Sequence, residues 1–436
     1  MPTCWALLKQ AFNTAIIAAE NQHDQDYYAL TCRVPVTNED VNVLAWLKGQ
    51  TCFPQCVWRA RHTNEYVVAL GQVIVFDDIT LAQHFLAQQH ELRLIGGMKF
   101  DGQAQFLLPR LLLRCSATEL QATLCLHADE DKSAVMAWLT ALAEPRSITP
   151  LDTQLVFHSQ AYSQSQWCAL VERALQAIAS GDFLKVVPAQ VKYYTVQGEF
   201  NPVDFIAHAS AEQRECYGFL WADSPTHAFF GISPERFYCR DGEHLCTEAL
   251  AGTVKCGQHP QENQNALAWL MKDVKNSHEN ALVVDDIVQK LTPLAKQITV
   301  ADLEGRQLRY VQHLARPIRA TLKSAVGDCD CMRAIHPSAA VGGLPTAPAK
   351  AFLAQHNIER AWYAGTFGVM ARQHSEFCVT IRSAYYQQDQ ISVYAGAGIV
   401  RGSDPLLEWQ EIERKTAGIL SLFRNIRENN DVSSPV

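Results

Sequence analysis

The sequence predicts a mixed α/β protein, because strand-like and helix-like segments alternate along the chain. Short runs rich in β-branched and aromatic residues, such as Tyr27–Val34 and Tyr66–Leu70, indicate strands. A helix is indicated at Ser165–Ala179, where apolar residues recur at helical spacing before Gly181. At 436 residues the chain can bury a large core, either as two domains or as one oversized α/β unit.

The composition indicates a globular protein that does not bind nucleic acid. Acidic residues outnumber basic ones, 45 to 37, and no run of Lys or Arg is present. The N-terminal segment lacks the pattern of a signal peptide, and no apolar run reaches the ~18 residues of a membrane span. The 14 cysteines are scattered through apolar segments, as is usual for reduced thiols. We therefore expect a cytoplasmic protein without membrane or nucleic-acid partners.

The first third of the chain, residues 1–150, is rich in predicted strands and contains no cluster of chemically reactive side chains. Leu111–Cys115 and Leu120–Leu126 predict a hairpin, since the second segment alternates in apolar character. A helix at about Asp131–Ala143 follows, and a proline-containing connector then leads into the rest of the chain. The residues that suggest chemistry all lie beyond this connector.

Two cationic residues interrupt apolar, strand-like segments. Lys185 lies within Phe183–Val187, and Arg382 lies within Glu376–Ala384. Burying a charged side chain is costly unless the group is paired or neutral. Lys185 is therefore either a lysine that reaches solvent or a salt bridge, or a functional group. Arg382 should be paired or should hold an anion.

The segment Val393–Ala417 predicts a strand, a glycine-rich turn and a helix. Asp404 followed by Pro405 is typical of a helix N-terminus, and Glu408 and Glu411 share one face of that helix. Two carboxylates beside a glycine turn suit a hard cation and an anionic ligand, although they could equally be a solvated face. A dinucleotide-binding turn is a weaker alternative, because the glycine spacing is GxGxxxG and no strand with a ribose-binding acid follows.

Six motifs occur in a fixed order between about residue 155 and residue 424. They are Lys185-Val186-Val187, Ser233-Pro234-Glu235-Arg236, Ala251-Gly252-Thr253, Glu279-Asn280, Tyr363-Ala364-Gly365, and Gly396-Ala397-Gly398-Ile399-Val400 with Glu408-Trp409-Gln410-Glu411. Together they resemble the motifs of the chorismate-utilising enzymes, which include isochorismate, salicylate, anthranilate and aminodeoxychorismate synthases. The sequence is most similar to the menaquinone-type isochorismate synthases.

The resemblance implies the fold of anthranilate synthase component I, in which two large antiparallel sheets pack together with helices outside. Residues 1–150 would be a strand-rich part of the same globule. Residues 151–428 would form the chorismate-binding catalytic region, and residues 429–436 a disordered tail. The resemblance also implies a Mg²⁺ ion, bound by Glu279 and Glu411 with Glu408 beside them.

The resemblance further implies how chorismate is bound and converted. Lys185, neutral because it is desolvated, would take a proton from water that attacks C2, and Glu235 would protonate the departing C4 hydroxyl. Aminodeoxychorismate synthases have a nucleophilic lysine at the position of Ala251, and the ammonia-using anthranilate synthases lack the lysine at position 185. The implied substrate-binding residues are Gly252, Thr253, His336, Tyr363, Arg382 and Gly398, with His336 in the wall of the ring pocket.

The implied activity is that of an isochorismate synthase, an isomerase that serves menaquinone biosynthesis. A salicylate synthase, which goes on to eliminate pyruvate, is the close alternative because it shares the same mechanistic residues. A catalytically silent binding subunit is a third possibility, which the intact motifs disfavour. We expect a monomer without a glutamine amidotransferase partner, since water is the nucleophile.

The residues after the lysine motif depart from the family pattern. The family commonly shows Leu-x-Arg there, whereas this sequence has Pro188-Ala189-Gln190. Because proline cannot donate to a sheet ladder, this strand should lie at a sheet edge or carry a bulge just beyond Lys185.

Overall fold

The computed structural model describes residues 3–19, 26–35, 41–63, 65–116, 118–257, 259–307 and 311–427, so the predicted tail at 429–436 lies outside it. The helices in these residues are α1 (Cys4–Ala18), α2 (Val43–Gly49), α3 (Ile79–Gln88), α4 (Lys132–Ala141), α5 (Gln164–Ser180), α6 (Pro202–Glu212), α7 (Pro260–Leu270), α8 (Val274–Leu291), α9 (Asp328–Ile335), α10 (Thr346–His356) and α11 (Pro405–Leu420). None of them is long and apolar enough to cross a bilayer.

The strands of the described residues are numbered in chain order. They are β1 (Tyr27–Pro35), β2 (Gln55–Arg59), β3 (Tyr66–Phe76), β4 (Arg93–Met98), β5 (Ala104–Cys115), β6 (Glu119–His127), β7 (Gln154–Gln160), β8 (Lys185–Val186), β9 (Ala189–Gln197), β10 (Tyr217–Ser224), β11 (His227–Ser233), β12 (Arg236–Asp241), β13 (His244–Lys255), β14 (Ala295–Val300), β15 (Glu304–Gln307), β16 (Val311–Leu322), β17 (Gly343–Leu344), β18 (Thr366–Ala371), β19 (His374–Val379), β20 (Ser383–Gln387), β21 (Gln390–Gly396), β22 (Ile399–Val400) and β23 (Asn425–Arg427).

Strand β5 joins two arms of one hydrogen-bonded sheet network. Along one edge β5 pairs with β3, and along the other its first part pairs with β4 and its second part with β6. The first arm continues from β4 through β18, β19, β12, β13 and β16. The second arm continues from β3 through β2, β10, β11, β20, β21, β9 and β7. All these pairings are antiparallel. Because β2 pairs with β10 and β4 pairs with β18, the strands of the first third lie within the same network as the later strands.

The two arms lie face to face and enclose an aromatic layer. Phe367 of the first arm lies 6.4 Å from Trp58, 6.1 Å from Phe219 and 6.2 Å from Trp221 of the second arm, measured between ring centroids. Helices α1, α2, α4 and α6 cover the outer face of the second arm, and α3, α8 and α9 cover that of the first. The predicted fold of two packed antiparallel sheets with outer helices is confirmed, with β5 as the connection between the sheets.

Truncating Phe367 to alanine should destabilise the protein by about 3–5 kcal/mol, because a fully buried ring would leave a cavity between the arms. Chemical denaturation followed by tryptophan fluorescence measures the change, since the neighbouring Trp58 reports on this layer. Ile17→Ala is the control, because the Ile17 side chain is 72% exposed and its loss should shift the midpoint little. Equal midpoints for the two variants would contradict this description of the core.

The segment that carries Lys185 differs from its prediction. Lys185-Val186 forms β8, the central strand of a small sheet between β17 and β22, and the backbone N–H groups of Leu184 and Val187 beside it donate to Leu344 and Gly342. The prediction of an edge strand or a bulge is therefore wrong. Pro188 instead ends the strand, and the chain enters the large sheet at Ala189.

Candidate active site

A cavity opens where the first arm, the end of β21 and helices α8 and α11 meet. The first arm contributes β13 and β16 to its wall, and the connections around Pro234, Tyr363 and Arg382 complete it. Eight of the eleven predicted site residues line the cavity. These are Glu235, Gly252, Thr253, Glu279, Tyr363, Arg382, Gly398 and Glu411. The remaining three are Lys185, Glu408 and His336.

Lys185 lies directly behind the cavity wall. Its side chain is fully buried, and its Nζ lies 2.9 Å from Oε1 of Glu279, which lines the cavity. The small sheet holds this position, because β8 pairs with a strand on each side. A carboxylate in contact with an amine stabilises the charged amine. The structure therefore shows the Lys185 amine paired with the Glu279 carboxylate beside the cavity.

Gly398 lies against Glu279 and Lys185 and leaves no room for a side chain. A Cβ on this residue would overlap Oε1 of Glu279 and lie 3.0 Å from Cε of Lys185. The glycine-rich turn predicted from the sequence thus allows the backbone to approach the ion pair closely.

Gly398→Ala should lower turnover strongly, by about 10²-fold, because the added methyl group must displace Glu279 or Lys185. Steady-state kinetics with chorismate, the substrate that the sequence motifs imply, measure the loss. Gly402→Ala is the matched control in the same turn, since a Cβ there meets no atom within 4 Å, although its φ of +88° makes the substitution strained. A wild-type rate for Gly398→Ala would show that the ion pair behind this residue takes no part in the reaction.

Three glutamates at one end of the site each contact a lysine. Helix α11 places two of them, and its start is set by Asp404, whose Oδ1 accepts hydrogen bonds from the first turn as predicted. The nitrogen–oxygen distances are 2.9 Å for Lys185–Glu279, 2.6 Å for Lys275–Glu408 and 2.7 Å for Lys415–Glu411. Each carboxylate is therefore neutralised by its own cation.

The electrostatics of these glutamates are compatible with a divalent cation. Burial and the negative charge of Glu411 raise the pKa of Glu408, whereas Lys415 holds the pKa of Glu411 low despite burial. A cation would relieve this repulsion between two carboxylates, and carboxylate oxygens are the ligands that Mg²⁺ prefers. The glutamates do not converge in the structure. Among the described residues, three potential metal ligands within 4.8 Å of one another are instead found in Cys239, His374 and Glu376. These residues lie elsewhere on the first arm.

Glu235 occupies the connection between β11 and β12. Its backbone N–H donates to Oγ of Ser233, and its carbonyl accepts from the N–H of Val379, so the residue is held at both ends. Burial, and then the negative charge of Glu248, raise the pKa of the Glu235 carboxyl to about 8, against the opposing charge of Lys185. A carboxyl group with this pKa is largely protonated at neutral pH and can donate a proton.

Arg382 and Tyr363 present polar groups on another wall of the cavity. Arg382 lies in the bend between β19 and β20 with φ +52°, not in a strand as predicted. No acidic side chain of the described residues lies within salt-bridge distance of its guanidinium. Tyr363 stacks on Tyr394 with 5.1 Å between ring centroids, which fixes its hydroxyl at the wall. An unpaired guanidinium beside a phenol suits a carboxylate of a ligand.

The backbone at the predicted ring-carboxylate site is only partly available. Gly252 adopts φ +87°, a conformation that glycine permits, and a Cβ there would crowd Asn276. The N–H of Thr253 donates to Oδ1 of Asn276 at 3.2 Å. A ligand that uses this N–H must therefore compete with Asn276.

His336 does not line the cavity, and the prediction that it does is wrong. Its Nε2 lies 2.9 Å from the carbonyl oxygen of Lys99, and its ring borders a separate depression. The histidine in the cavity wall is His313, which the sequence reasoning missed. Its Nδ1 lies 3.0 Å from Oγ1 of Thr253, and its buried Nε2 has no hydrogen-bond partner within the described chain. Burial lowers the pKa of His313 to about 3, so the ring is neutral.

The comparison with known families identifies the chain. The profile described as chorismate binding enzyme matches residues 11–424. The chain belongs to the chorismate-binding enzymes. Among relatives of this chorismate-binding enzyme, isochorismate synthase MenF from Pasteurella multocida is 41% identical over 425 residues, covering 96% of this chain and 98% of that protein.

Solved structures agree with this assignment. MenF, the menaquinone-specific isochorismate synthase from Escherichia coli, matches this chorismate-binding enzyme with a TM-score of 0.87 at 35% identity, covering 96% of this chain and 100% of the other. Anthranilate synthase component I from Streptococcus pneumoniae matches with a TM-score of 0.60 at 17% identity, covering 92% and 93%, which shows the shared fold. The predicted family and fold are thereby confirmed.

Proposed function

We propose that this protein is an isochorismate synthase that converts chorismate to isochorismate for menaquinone biosynthesis. The observation that carries the proposal is the cavity wall. Glu235 and Glu279 line the cavity, and Lys185 contacts Glu279 from behind the wall. Ala251 offers only a methyl group at the position where aminodeoxychorismate synthases have a nucleophilic lysine. The names of the relatives support the same activity, and they favour it over salicylate synthesis.

In the proposed reaction, water forms a bond to C2 of the ring while the C4–oxygen bond breaks. Lys185 removes a proton from the attacking water, and Glu235 gives its proton to the leaving hydroxyl, which departs as water. One water enters and one leaves, so the reaction is an isomerisation, and a proton then returns from Lys185 to Glu235 by way of solvent. Lys185 can act as a base only after its ammonium has lost Glu279 as partner and released its proton.

The cavity offers complementary groups for the two carboxylates of chorismate. We propose that Arg382 and Tyr363 bind the enolpyruvyl carboxylate, because this guanidinium is unpaired and desolvated. Backbone groups near Gly252, Thr253 and Gly398 would receive the ring carboxylate at the opposite end. The two anionic groups of the substrate would then span the cavity and fix the ring between them.

We propose Mg²⁺ as the cofactor, held by Glu279 and Glu411 with Glu408 beside them. When bound, this ion would supply positive charge for the ring carboxylate of the substrate. The three lysines that now neutralise these glutamates would have to release at least part of their contacts. Binding of Mg²⁺ measured by calorimetry, and its loss in Glu411→Gln, test this set without recourse to activity.

Incubation with chorismate and Mg²⁺, followed by chromatographic separation of products, tests the proposed function. Isochorismate should be the main product, with little pyruvate and no anthranilate when ammonium is supplied. Pyruvate formed in step with chorismate consumption would instead assign a salicylate synthase. Unchanged chorismate at every Mg²⁺ concentration would favour a silent binding subunit.

We further propose a cytoplasmic monomer. It needs no amidotransferase subunit, because water replaces ammonia as the nucleophile. Light scattering of the purified protein tests the monomeric state. Full activity of the purified chain alone tests whether an amidotransferase subunit is needed.

A further inference from the structure

A buried ion pair connects the first third of the chain to the segment that carries Glu235. Arg61 follows β2, and Glu248 lies on β13 of the other arm, 187 positions away in sequence. The guanidinium contacts the carboxylate through two hydrogen bonds, Nη1–Oε1 at 2.6 Å and Nη2–Oε2 at 2.9 Å. Both side chains are almost completely buried. Such bidentate contacts fix orientation as well as charge.

The same pair holds both neighbours of Glu235. Nη1 of Arg61 donates to the carbonyl of Pro234 at 2.6 Å, and Oε1 of Glu248 accepts from the backbone N–H of Arg236 at 3.0 Å. Arg306 adds a third contact, with its Nη1 2.8 Å from Oε2 of Glu248. The backbone on each side of Glu235 is therefore tied to one charged unit.

The charge of Glu248 acts on Glu235 in a defined direction. The contacts of Glu248 with Arg61 hold its pKa at about 2 despite burial, so this carboxylate is negative at all working pH values. A fixed negative charge nearby favours the neutral form of a second carboxyl group. The charged groups that act on Glu235 in the opposite direction are Lys185, Lys415 and Arg61.

We propose that Arg61 and Glu248 form a positioning unit that sets both the orientation of Glu235 and its protonated state. The first third of the chain then contributes directly to the performance of the catalytic acid. This inference rests on the proposed function, in which Glu235 is the proton donor. Neither Arg61 nor Glu248 needs to touch the substrate.

Two substitutions should move the pH dependence of turnover in opposite directions. Glu248→Gln removes the negative charge and leaves two arginines, so the alkaline limb of kcat should move to lower pH by about one unit or more. Turnover above the limb would fall by about tenfold and recover on acidification. Arg61→Gln removes a positive charge, so the limb should move to higher pH. Glu248→Asp, which keeps the charge, should leave the limb near its wild-type position.

The control pair lies in the same third of the chain, away from the site. Glu65 contacts Arg114 at 2.6 Å on a half-exposed surface, and Glu65→Gln should leave the limb unchanged. If Glu248→Gln does not fold, the direction in which the alkaline limb of kcat moves in Arg61→Gln tests the inference by itself. Limbs that coincide in Arg61→Gln and the wild type, or that move the same way in both variants, would overturn the inference.

A spectroscopic titration separates this inference from the proposed function. The infrared carboxyl band that disappears in Glu235→Gln reports protonation of Glu235 without substrate. Its titration should move down in Glu248→Gln even if the wild type makes no isochorismate, in which case only the proposed function fails. A band that titrates identically in both proteins contradicts the positioning unit, whatever the product.

Discussion

Lys185→Ala should lower kcat for isochorismate formation by about 10²–10⁴-fold, the usual contribution of a positioned general base. The amine is fully buried and contacts Glu279 at 2.9 Å, and an alanine methyl group in its place cannot accept a proton. The loss should fall mainly on kcat, because the base acts on water and not on the carboxylates that bind the substrate. Stopped assays, in which the product is quantified by chromatography, measure kcat and KM.

Lys192→Ala is the matched control for this experiment. Lys192 also pairs with a glutamate, Glu413, at 2.7 Å, but this pair lies outside the cavity wall and is partly exposed. Its loss should change kcat by no more than about twofold. Normal turnover in Lys185→Ala would contradict the assignment of the base, and an equal loss in both variants would indicate a general structural effect.

Glu235→Gln should abolish the alkaline limb of the pH profile and lower kcat by about 10²–10⁴-fold. Because Glu235 acts as an acid, its activity is present while the carboxyl group is protonated and is lost as pH rises through its pKa of about 8. An amide of the same shape can neither donate that proton nor titrate. Profiles of kcat from pH 5 to 10 for the two proteins provide the measurement.

The fold of Glu235→Gln should be unaffected, since the backbone contacts to Ser233 and Val379 do not involve the side chain. Equal melting temperatures of variant and wild type therefore serve as the control. A limb that survives near pH 8 in Glu235→Gln would assign the ionisation to another group.

The local sequence was sufficient to predict a site residue where the residue type is unusual for its surroundings or belongs to a family motif. Lys185 within an apolar strand-like segment and Glu235 within a family motif both lie at the site. His313 gives no such signal, because it lies in the mixed segment Val311-Gln312-His313-Leu314, where a polar residue is not unusual. His336 was predicted from its motif alone, but its ring nitrogen bonds to the backbone at Lys99, more than two hundred positions earlier.

Contacts across large sequence separations could not be predicted. The sequence analysis predicted no cluster of reactive side chains in the first third, and it gave no sign that Arg61 contacts Glu248. Nothing near Arg61 in the sequence distinguishes it from a surface arginine, and its role depends on the pairing of β2 with β10, which brings it beside Pro234. The contact between Lys275 on α8 and Glu408 on α11 likewise joins residues 133 positions apart.

The strand order around β5 has a consequence for dissecting this protein into fragments. Deleting residues 1–150 would remove β2 from β10 and β4 from β18, so β10 and β18 would become bare edge strands of the two remaining sheets. Exposed edges of this kind recruit other chains, so a catalytic fragment beginning near residue 151 should precipitate on expression. The two fragments, encoded as separate chains, should be soluble only when they are co-expressed, because each then supplies the strands that the other lacks.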